Sequence, residues 1–402
     1  IMGYNGQGVG TIANFGQDDT FGGAISSAGN TDGNGKGVFK YAPPSGFLAL
    51  CTANLPEPTI GANSATQADD YFNTVLYTGN ATARSITGVG FQPDWVWSKA
   101  RGLAQAHRLV DSSRGVQKSL YSNGTNAEAT ESGLTAFNAD GFSIGTETSF
   151  NYNTEAFVAW NWKANGGTTS SNSDGSVTTT VQANTTSGFS IVTYTGTGAN
   201  ATFGHGLGAV PKMIITKTRS HTGDWMVYHG ANTSAPQTDF LKLNATNATE
   251  DLNTVWNDTA PTSSVFTLGS NGDVNTSGRT QVAYCFAEIE GYSKFGSYTG
   301  NSNNDGTFVY TGFRPAMVMV KRTTGADSWF IYDIKRNSHN VMDKYLLADT
   351  SGAEGTDASP LGLDMVSNGF KWRINSGARN TTGQTYIYMA FAEQTFKYAN
   401  AR

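Results

Sequence analysis

The stretch GFQPDWVWSKAR (Gly90–Arg101) decides the fold, because related stretches occur twice more along the chain. They are LGAVPKMIITKTR (Leu207–Arg219) and GFRPAMVMVKRT (Gly312–Thr323). In each copy a proline is followed six residues later by a lysine, with large apolar side chains between them. This pattern predicts a β-strand that begins at the proline, where a missing N–H is tolerated.

Side-chain alternation assigns the two faces of this strand. Trp95 and Trp97 project to one face, and Val96 projects to the other. The corresponding residues of the other copies are large apolar groups of different shape, namely Met213 and Ile215, then Met317 and Met319. Interchangeable apolar residues are typical of a packed core rather than of a specific ligand contact.

Further recurring motifs occur in the same order around each copy of this stretch. A Tyr-Thr-Gly motif precedes it, a second apolar strand follows, and a strand pair closes the unit. The prolines lie 118 and 104 residues apart (positions 93, 211 and 315), so each unit is the size of a domain. The aligned positions are Tyr77, Tyr194 and Tyr298; His107, Trp225 and Trp329; Phe142, Phe266 and Phe370; and Trp160, Phe286 and Phe391.

Composition agrees with an all-β fold. Charged residues make up only 14% of the chain, and 48 glycines accompany many Thr, Ser and Asn residues, which favours short strands joined by tight turns. We predict an all-β protein of tandem β-sandwich or jelly-roll-like domains, with three homologous repeats. The predicted boundaries are a segment unlike the repeat at 1–60, a linker at 61–71, repeats at 72–165, 188–296 and 297–402, and a flexible Gly/Ser/Thr-rich linker at 166–187.

Charge and hydropathy exclude several classes of partner. The net charge is −5 and Lys and Arg do not cluster, so no nucleic-acid partner is expected. No apolar stretch approaches the roughly 20 residues that span a bilayer, so no membrane insertion is expected. Cys51 and Cys285 each lie in an apolar run, which predicts two buried free thiols.

Catalytic motifs are not recognisable in the sequence. The five histidines lack metal-ligand spacing, and neither a GxSxG elbow nor a Walker loop occurs. Glu288 and Glu393 recur at the end of the last strand, where unit one carries Trp162, so the repeats supply no carboxylate pair. Asp111 and Asp333 each precede an arginine by three residues, which predicts a structural turn. We therefore expect no enzyme, no cofactor and no metal site.

The segment before the repeats resembles a known family. NFGQ (Asn14–Gln17) and PPSGFLALCTANLPEPTI (Pro43–Ile60) resemble the closing strands of SPRY-type concanavalin-like sandwiches in tailed-phage appendage proteins. The resemblance implies that residues 1–60 are the last strands of such a sandwich, with its other strands upstream of Ile1.

The repeat is itself similar to a module of marine phage virion proteins, especially tail or fibre-like proteins of cyanophages and pelagiphages. The likeness lies in YTGN, GFQPDWVWSK, HRLVDSSRG, GFSIG and FVAWNWKA, all in unit one, and is weaker in the other units. It implies a virion structural protein at the particle surface, in a tail fibre or similar appendage that contributes to host attachment. A capsid-decorating or filament-forming protein and a secreted carbohydrate-binding protein remain as alternatives.

Partners follow from the same resemblance. We expect other copies of the chain, with a trimer as the usual solution for fibres, other virion proteins, and a host surface glycan. Aromatic faces stack on sugar rings, so tryptophans without an apolar counterpart in the other repeats are the candidate glycan contacts. These are Trp162, whose alternative is a contact between units or chains, and Trp256, in a polar loop.

Overall fold

The computed structural model describes residues 13–54, 60–61, 66–358 and 360–394, which fall into two compact units. The first unit holds the described residues up to Asn54, and the second holds those from Ile60 onward. Among the described residues of the first unit, regular backbone pairing is confined to an isolated bridge between Asn30 and Phe39 and a 3-10 turn at Thr52–Asn54.

Within residues 13–54 the predicted concanavalin-like strands are not formed, and residues 1–12 and 55–59 of the predicted segment lie outside the described residues. A strand needs a hydrogen-bonded neighbour, and much of this backbone is instead satisfied by side chains. The carboxylate of Asp32 accepts hydrogen bonds from the backbone N–H groups of Asn34, Lys36 and Ala49, at 2.9, 2.8 and 2.7 Å. Burial alone would raise the pKa of Asp32, but these bonds lower it to about 2.

Sandwich 1 begins the second unit and contains nine strands and one short helix. They are β1 (Phe72–Thr78), β2 (Arg84–Ile86), β3 (Trp95–Ala100), β4 (Arg108–Asp111), β5 (Lys118–Ser119), β6 (Ala129–Thr130), β7 (Leu134–Asn138), β8 (Gly141–Ile144), α1 (Thr148–Asn151) and β9 (Ala156–Trp162). The larger sheet has the order β1-β9-β3-β4 and the smaller sheet β2-β8-β7, while β5 pairs with β6. A buried apolar cluster joins the two sheets.

Sandwich 2 has the same plan with a longer sheet. Its elements are β10 (Ser170–Asn172), β11 (Thr179–Asn184), β12 (Phe189–Thr195), β13 (Ala201–Gly204), β14 (Pro211–Thr218), β15 (Met226–His229), β16 (Asp239–Lys242), β17 (Glu250–Asp251), α2 (Asn253–Trp256), β18 (Val265–Leu268), α3 (Gly272–Asn275) and β19 (Thr280–Ala287). The larger sheet runs β10-β11-β12-β19-β14-β15-β16-β17, and the smaller sheet pairs β13 with β18.

Sandwich 3 completes the set. Its elements are β20 (Ser293–Thr299), β21 (Phe308–Tyr310), β22 (Arg314–Arg322), β23 (Phe330–Asp333), β24 (Lys344–Leu347), β25 (Gly355–Thr356), β26 (Leu363–Val366), β27 (Gly369–Trp372), α4 (Gly377–Asn380) and β28 (Thr385–Gln394). The sheets have the orders β20-β28-β22-β23-β24-β25 and β21-β27-β26. In all three sandwiches the last strand lies between the strand of the Tyr-Thr-Gly tyrosine (β1, β12 or β20) and the strand of the repeated lysine (β3, β14 or β22), which confirms the all-β prediction of three homologous repeats.

The predicted flexible linker at 166–187 is wrong, because most of it is part of sandwich 2. Strand β11 pairs antiparallel with β12, and β10 pairs with β11, which extends the larger sheet. The threonines that suggest a linker by composition are β-branched and suit a strand equally well. Gln182 on β11 is fully buried and donates to the hydroxyl groups of Ser112 and Ser113, at 2.9 and 2.8 Å.

Two other boundaries also move. Described residues around the predicted linker 61–71 are folded, since Ile60, Ala68 and Tyr71 are buried and a 3-10 helix covers Ala68–Asp70. Strand β20 already begins at Ser293, so sandwich 3 starts before residue 297. In the described part of the chain the sandwiches follow one another closely, as expected from sequence for the second and third units.

The larger sheets are buried on both faces. Val96 joins the internal core of sandwich 1, whereas Trp95 and Trp97 join a different cluster that all three sandwiches share. The predicted alternation along β3 is thus confirmed, but its tryptophans pack between sandwiches. We call this second cluster the shared core. Its members nearest the repeat motifs are Trp95, Trp97, Trp160 and Trp162 of sandwich 1, Met213, Ile215, Tyr284 and Phe286 of sandwich 2, and Met317, Met319, Met389 and Phe391 of sandwich 3.

Ring contacts connect the sandwiches within the shared core. Trp95 stacks on Tyr284 with ring centroids 4.3 Å apart. Phe391 lies edge-on to both Trp162 and Phe286, at centroid distances of 5.7 and 6.0 Å. Each such pair adds about 0.5–1.5 kcal/mol beyond the apolar area that it buries.

The Tyr-Thr-Gly motif has a steric explanation. A Cβ atom on Gly79, Gly196 or Gly300 would lie 2.0–2.3 Å from a backbone carbonyl oxygen just after the short helix of the same sandwich. The motif tyrosine donates to a carbonyl of that helix in every copy, at 2.7–3.0 Å. The turn is completed by a fully buried asparagine at the last helical residue, namely Asn151, Asn275 or Asn380, whose side-chain oxygen accepts from the backbone N–H that follows the glycine.

We predict that Gly196→Ala destabilises the protein by about 1–3 kcal/mol, because the new methyl group would overlap the carbonyl oxygen of Thr276. Gly272→Ala is the matched control, since a Cβ there meets its nearest neighbour at an ordinary 3.6 Å. Urea unfolding of both variants measures the difference. Equal stabilities of the two variants would contradict the steric explanation.

Candidate functional site

A ring of equivalent hydrogen bonds connects the three sandwiches. The Trp225 indole N–H donates to the carbonyl oxygen of Tyr121, so sandwich 2 binds sandwich 1 at 2.8 Å. The Trp329 indole N–H donates to the carbonyl of Lys242 at 2.9 Å, so sandwich 3 binds sandwich 2. His107 Nε2 lies 3.0 Å from the carbonyl of Leu347, so sandwich 1 binds sandwich 3. The three donors are the residues that the sequence alignment places at one position. Sandwich 2 donates to sandwich 1, sandwich 3 to sandwich 2 and sandwich 1 to sandwich 3, so the hydrogen bonds form a closed ring.

A second ring, made by backbone groups, joins the same pairs of sandwiches with the donors and acceptors exchanged. The N–H groups of Glu128, Thr249 and Glu354 donate across the sandwich boundaries, at 2.7, 2.9 and 2.6 Å. Their acceptors are the carbonyl oxygens of Arg219, Thr323 and Arg101, which all lie two residues after the repeated lysine. We call the three contact regions the 1–2, 2–3 and 3–1 junctions.

The 1–2 junction holds a buried charge network. Arg114 forms an ion pair with Asp111, and both side chains are fully buried. Glu128 lies 2.9 Å from both Arg114 and Arg219, so it links the two sandwiches. Burial would raise the pKa of Glu128, but the hydrogen bond from Arg219 and the charge of Arg114 lower it. The Tyr284 hydroxyl of sandwich 2 donates to Asp111 of sandwich 1 at 2.7 Å.

The 3–1 junction repeats this network. Arg336 forms a buried ion pair with Asp333 at 2.6 Å. Glu354 lies 3.2 Å from Arg336 and 2.9 Å from Arg101, and so links sandwich 3 to sandwich 1. The Trp160 indole N–H of sandwich 1 donates to Asp333 at 3.1 Å. The Asp–Arg turns expected from sequence are therefore structural, and they also form part of the contacts between sandwiches.

The 2–3 junction is neutral at all the corresponding positions. His229 and Asn232 stand where the other junctions have Asp and Arg, while Thr249 and Thr323 stand where they have Glu and Arg. The hydroxyl of Thr249 donates to Asn232 Oδ1 at 2.7 Å. Met389 stands at the position of the donors Trp160 and Tyr284. The hydrogen bond at this position therefore runs in the opposite direction across the junction. Here His229 Nε2 lies 3.1 Å from the carbonyl oxygen of Tyr388 in sandwich 3.

The two junction histidines are held in their neutral form. His107 Nδ1 accepts a hydrogen bond from the Trp97 indole, so its proton resides on Nε2, which donates to the carbonyl of Leu347. His229 Nδ1 accepts from the backbone N–H of Ala231, which fixes the same tautomer. Burial lowers the pKa of His107 to about 3 and that of His229 to about 4.

The repeated lysine is also buried in every sandwich. Lys99, Lys217 and Lys321 are fully inaccessible, and their ammonium groups donate to backbone carbonyl oxygens. Two of them also reach across a junction, Lys217 to Thr125 and Lys321 to Thr246, both at 3.2 Å. Burial lowers the pKa of each lysine to about 8.

The sequence-predicted glycan contacts are wrong, because both tryptophans are buried. Trp162 has no exposed surface and packs in the shared core, which agrees with the alternative of a contact between units. Trp256 is 2% exposed, ends helix α2, and lies edge-on to Tyr228. Neither offers a ring face to a sugar. Among the cysteines, Cys285 is buried as predicted, but Cys51 is exposed.

A register shift in the alignment accounts for the error at Trp162. Matching FVAWNW to the later copies by the motif Phe-Ala-Glu placed Trp160 with Phe286, two residues out of register. A shift of two residues keeps every side chain on its original face, so the alternation of side chains between the two faces does not reveal the shift. The true counterparts are shown by the cross-strand pairs Trp95–Trp162, Met213–Phe286 and Met317–Phe391.

Sequence reasoning also missed the buried asparagines Asn151, Asn275 and Asn380. A signal was available, because each lies 11 residues before the aligned aromatic residue Trp162, Phe286 or Phe391. The recurring carboxylates Glu288 and Glu393 form ion pairs with Lys294 and Arg314. In the described part of the chain, no group of three or more His, Cys, Asp or Glu side chains could hold a metal ion. None of the described helices is long and apolar enough to cross a membrane.

The comparison with protein families agrees with a single three-sandwich unit. The family described as "Domain of unknown function (DUF7483)" matches residues 67–395, a span that includes all three sandwiches. No curated protein matches the sequence.

We predict that Asp111→Asn lowers the free energy of unfolding by about 3 kcal/mol, because it leaves the buried Arg114 without its fully buried counter-charge. Asp305→Asn is the control, since Asp305 is 71% exposed and water screens its ion pair with Lys371. Urea unfolding at neutral pH measures both. A loss for Asp111→Asn as small as that for Asp305→Asn would contradict a stabilising role for the junction network.

We predict that stability rises between pH 7 and 9. The folded lysines have a pKa of about 8 and the unfolded ones 10.5, so the unfolded chain binds more protons in this range. Each lysine adds on the order of 1 kcal/mol to the rise in the free energy of unfolding between pH 7 and 9. Above pH 9 the trend weakens, because burial raises the pKa of Cys285 and of several tyrosines. Urea midpoints against pH measure the rise, and Lys217→Met should reduce it. An unchanged slope in that variant would refute the assignment.

Proposed function

The chain belongs to the DUF7483 family, and from this premise we propose that it is a structural protein of a phage virion, part of a tail fibre or similar appendage that contributes to host attachment. The resemblance of the repeat to marine phage virion modules supports the setting. The three junctions support the structural role, and they are the observation that carries the proposal.

The 1–2 and 3–1 junctions support a structural role because their buried charged groups hold sandwiches together. Asp111, Arg114 and Glu128, with their counterparts at the 3–1 junction, bond to one another and across the boundary. Buried networks of this kind rigidify a fold when every member is satisfied. A rigid body that keeps its shape under load suits a component of a particle that is assembled once and must survive outside the cell.

The first unit offers a contact surface for other virion proteins. Phe15, Tyr41 and Phe47 are 58%, 66% and 68% exposed. Together with Pro43 and Pro44 they line a groove of about 470 Å³. Exposed apolar surface of this kind commonly marks an interaction site. Association with further copies of the chain remains part of the proposal, although the ring of three sandwiches is already complete within one chain.

A capsid-decorating protein is the second candidate, and one observation favours it. Tandem sandwiches in a line would add length, as a fibre spacer requires, but these three sandwiches close on one another through the junctions. A compact body is as well suited to a capsid surface as to the tip of an appendage.

Immunogold electron microscopy of intact particles distinguishes the two. Antibodies against the purified chain should label the tail or its fibres, and prior absorption of the antibody with the chain should abolish the label. Label on the capsid shell would replace the appendage proposal by the decorating one. Unlabelled particles, with the chain free in the medium, would overturn both and favour a secreted carbohydrate-binding protein.

A further inference from the structure

The 2–3 junction contains a cleft. Comparison with the charged 1–2 and 3–1 junctions explains why there is free space at this place. The cleft has a volume of about 510 Å³, within the range of small-molecule sites. Residues from both sandwiches line it: Ala231, Asn232, Thr233, Ser234 and Thr249 from sandwich 2, and Ser297, Thr323, Thr324 and Thr385 from sandwich 3.

The cleft lies where the other junctions place long charged side chains. At the 1–2 junction the positions of Thr323 and Thr249 are held by Arg219 and Glu128, which form an ion pair across the boundary at 2.9 Å. At the 3–1 junction the same two positions are held by a further Arg–Glu pair. Asn232 likewise replaces an arginine. The shorter side chains of the 2–3 junction leave a space that guanidinium and carboxylate groups fill at the 1–2 and 3–1 junctions.

Hydroxyl groups give the cleft its chemistry. Seven of its nine lining residues are serine or threonine, and none is charged or aromatic. Within the described part of the chain, the hydroxyls of Ser234, Ser297 and Thr385 take part in no hydrogen bond, and the buried Nδ2 of Asn232 has no partner. These groups can donate and accept hydrogen bonds, but they provide no charge to balance an ion.

We propose that the 2–3 cleft is a binding site for a neutral saccharide. The hydroxyls of a sugar can donate to and accept from the same side-chain hydroxyls, and its lack of charge matches the lining. Saccharide binding at this cleft does not require that the protein belong to a virion. Binding is expected in the millimolar range, because no aromatic face is available for stacking.

The test introduces into the 2–3 junction the Glu–Arg ion pair that the other two junctions contain. Saturation-transfer difference NMR of the full chain with glucose, galactose, mannose and N-acetylglucosamine should show saturable binding of at least one sugar. The double variant Thr249→Glu/Thr323→Arg should weaken that binding more than tenfold while the unfolding temperature stays equal or rises. Thr178→Arg, at an exposed position outside the cleft, should leave binding unchanged.

A second variant covers the case in which the double variant fails to fold. Thr385→Val keeps the shape of the side chain but removes a free hydroxyl, so it should weaken binding several-fold. No saturable binding of any of the four sugars to the unmodified chain would overturn the proposal. Binding that survives both variants, or that prefers glucuronate or glucosamine over the neutral sugars, would also overturn it.

Discussion

The larger sheet of each sandwich carries apolar side chains on both faces, and the rest of the structure follows from the need to bury the second face. One face packs against the smaller sheet of the same sandwich, as Val96 does in sandwich 1. The other face holds Trp95 and Trp97, which would lie in water if the sandwich stood alone. Leaving this apolar face in water would be unfavourable, so it requires cover. Here each sandwich covers another, and the shared core results.

A heterologous contact closes when its rotation brings the last member back to the first. Each sandwich offers a donor at the position of Trp225 and an acceptor carbonyl at the position of Tyr121. The pattern returns to its start after three copies, which are all present in one chain. Once the core is closed, most polar groups at its margin have partners within the protein. Two junctions use charged networks, and the third uses His229, Asn232 and Thr249.

Much of the single-sandwich fold could be predicted from the sequence, because its signals are local. The proline before β3, the alternation around Val96, the buried Cys285 and the Asp111–Arg114 turn each involve a few consecutive residues. The ring could not be predicted, since apolar residues on the outer face of a sheet do not say which surface covers them. For this reason, and because of the two-residue register shift, the sequence leaves Trp162 open between a glycan contact and a contact between units or chains. Thr- and Ser-rich composition likewise does not distinguish a linker from an added strand such as β11.

The central claim is that the three sandwiches form one cooperative body around the shared core, and native-state hydrogen exchange tests it most directly. Exchange rates of the backbone amides in β3, β14 and β22 should be measured across a series of low urea concentrations. If the shared core unites the sandwiches, the slowest amides of all three strands will share one opening free energy and one dependence on urea. Three separate opening free energies, each with the smaller urea dependence of a single sandwich, would contradict the claim.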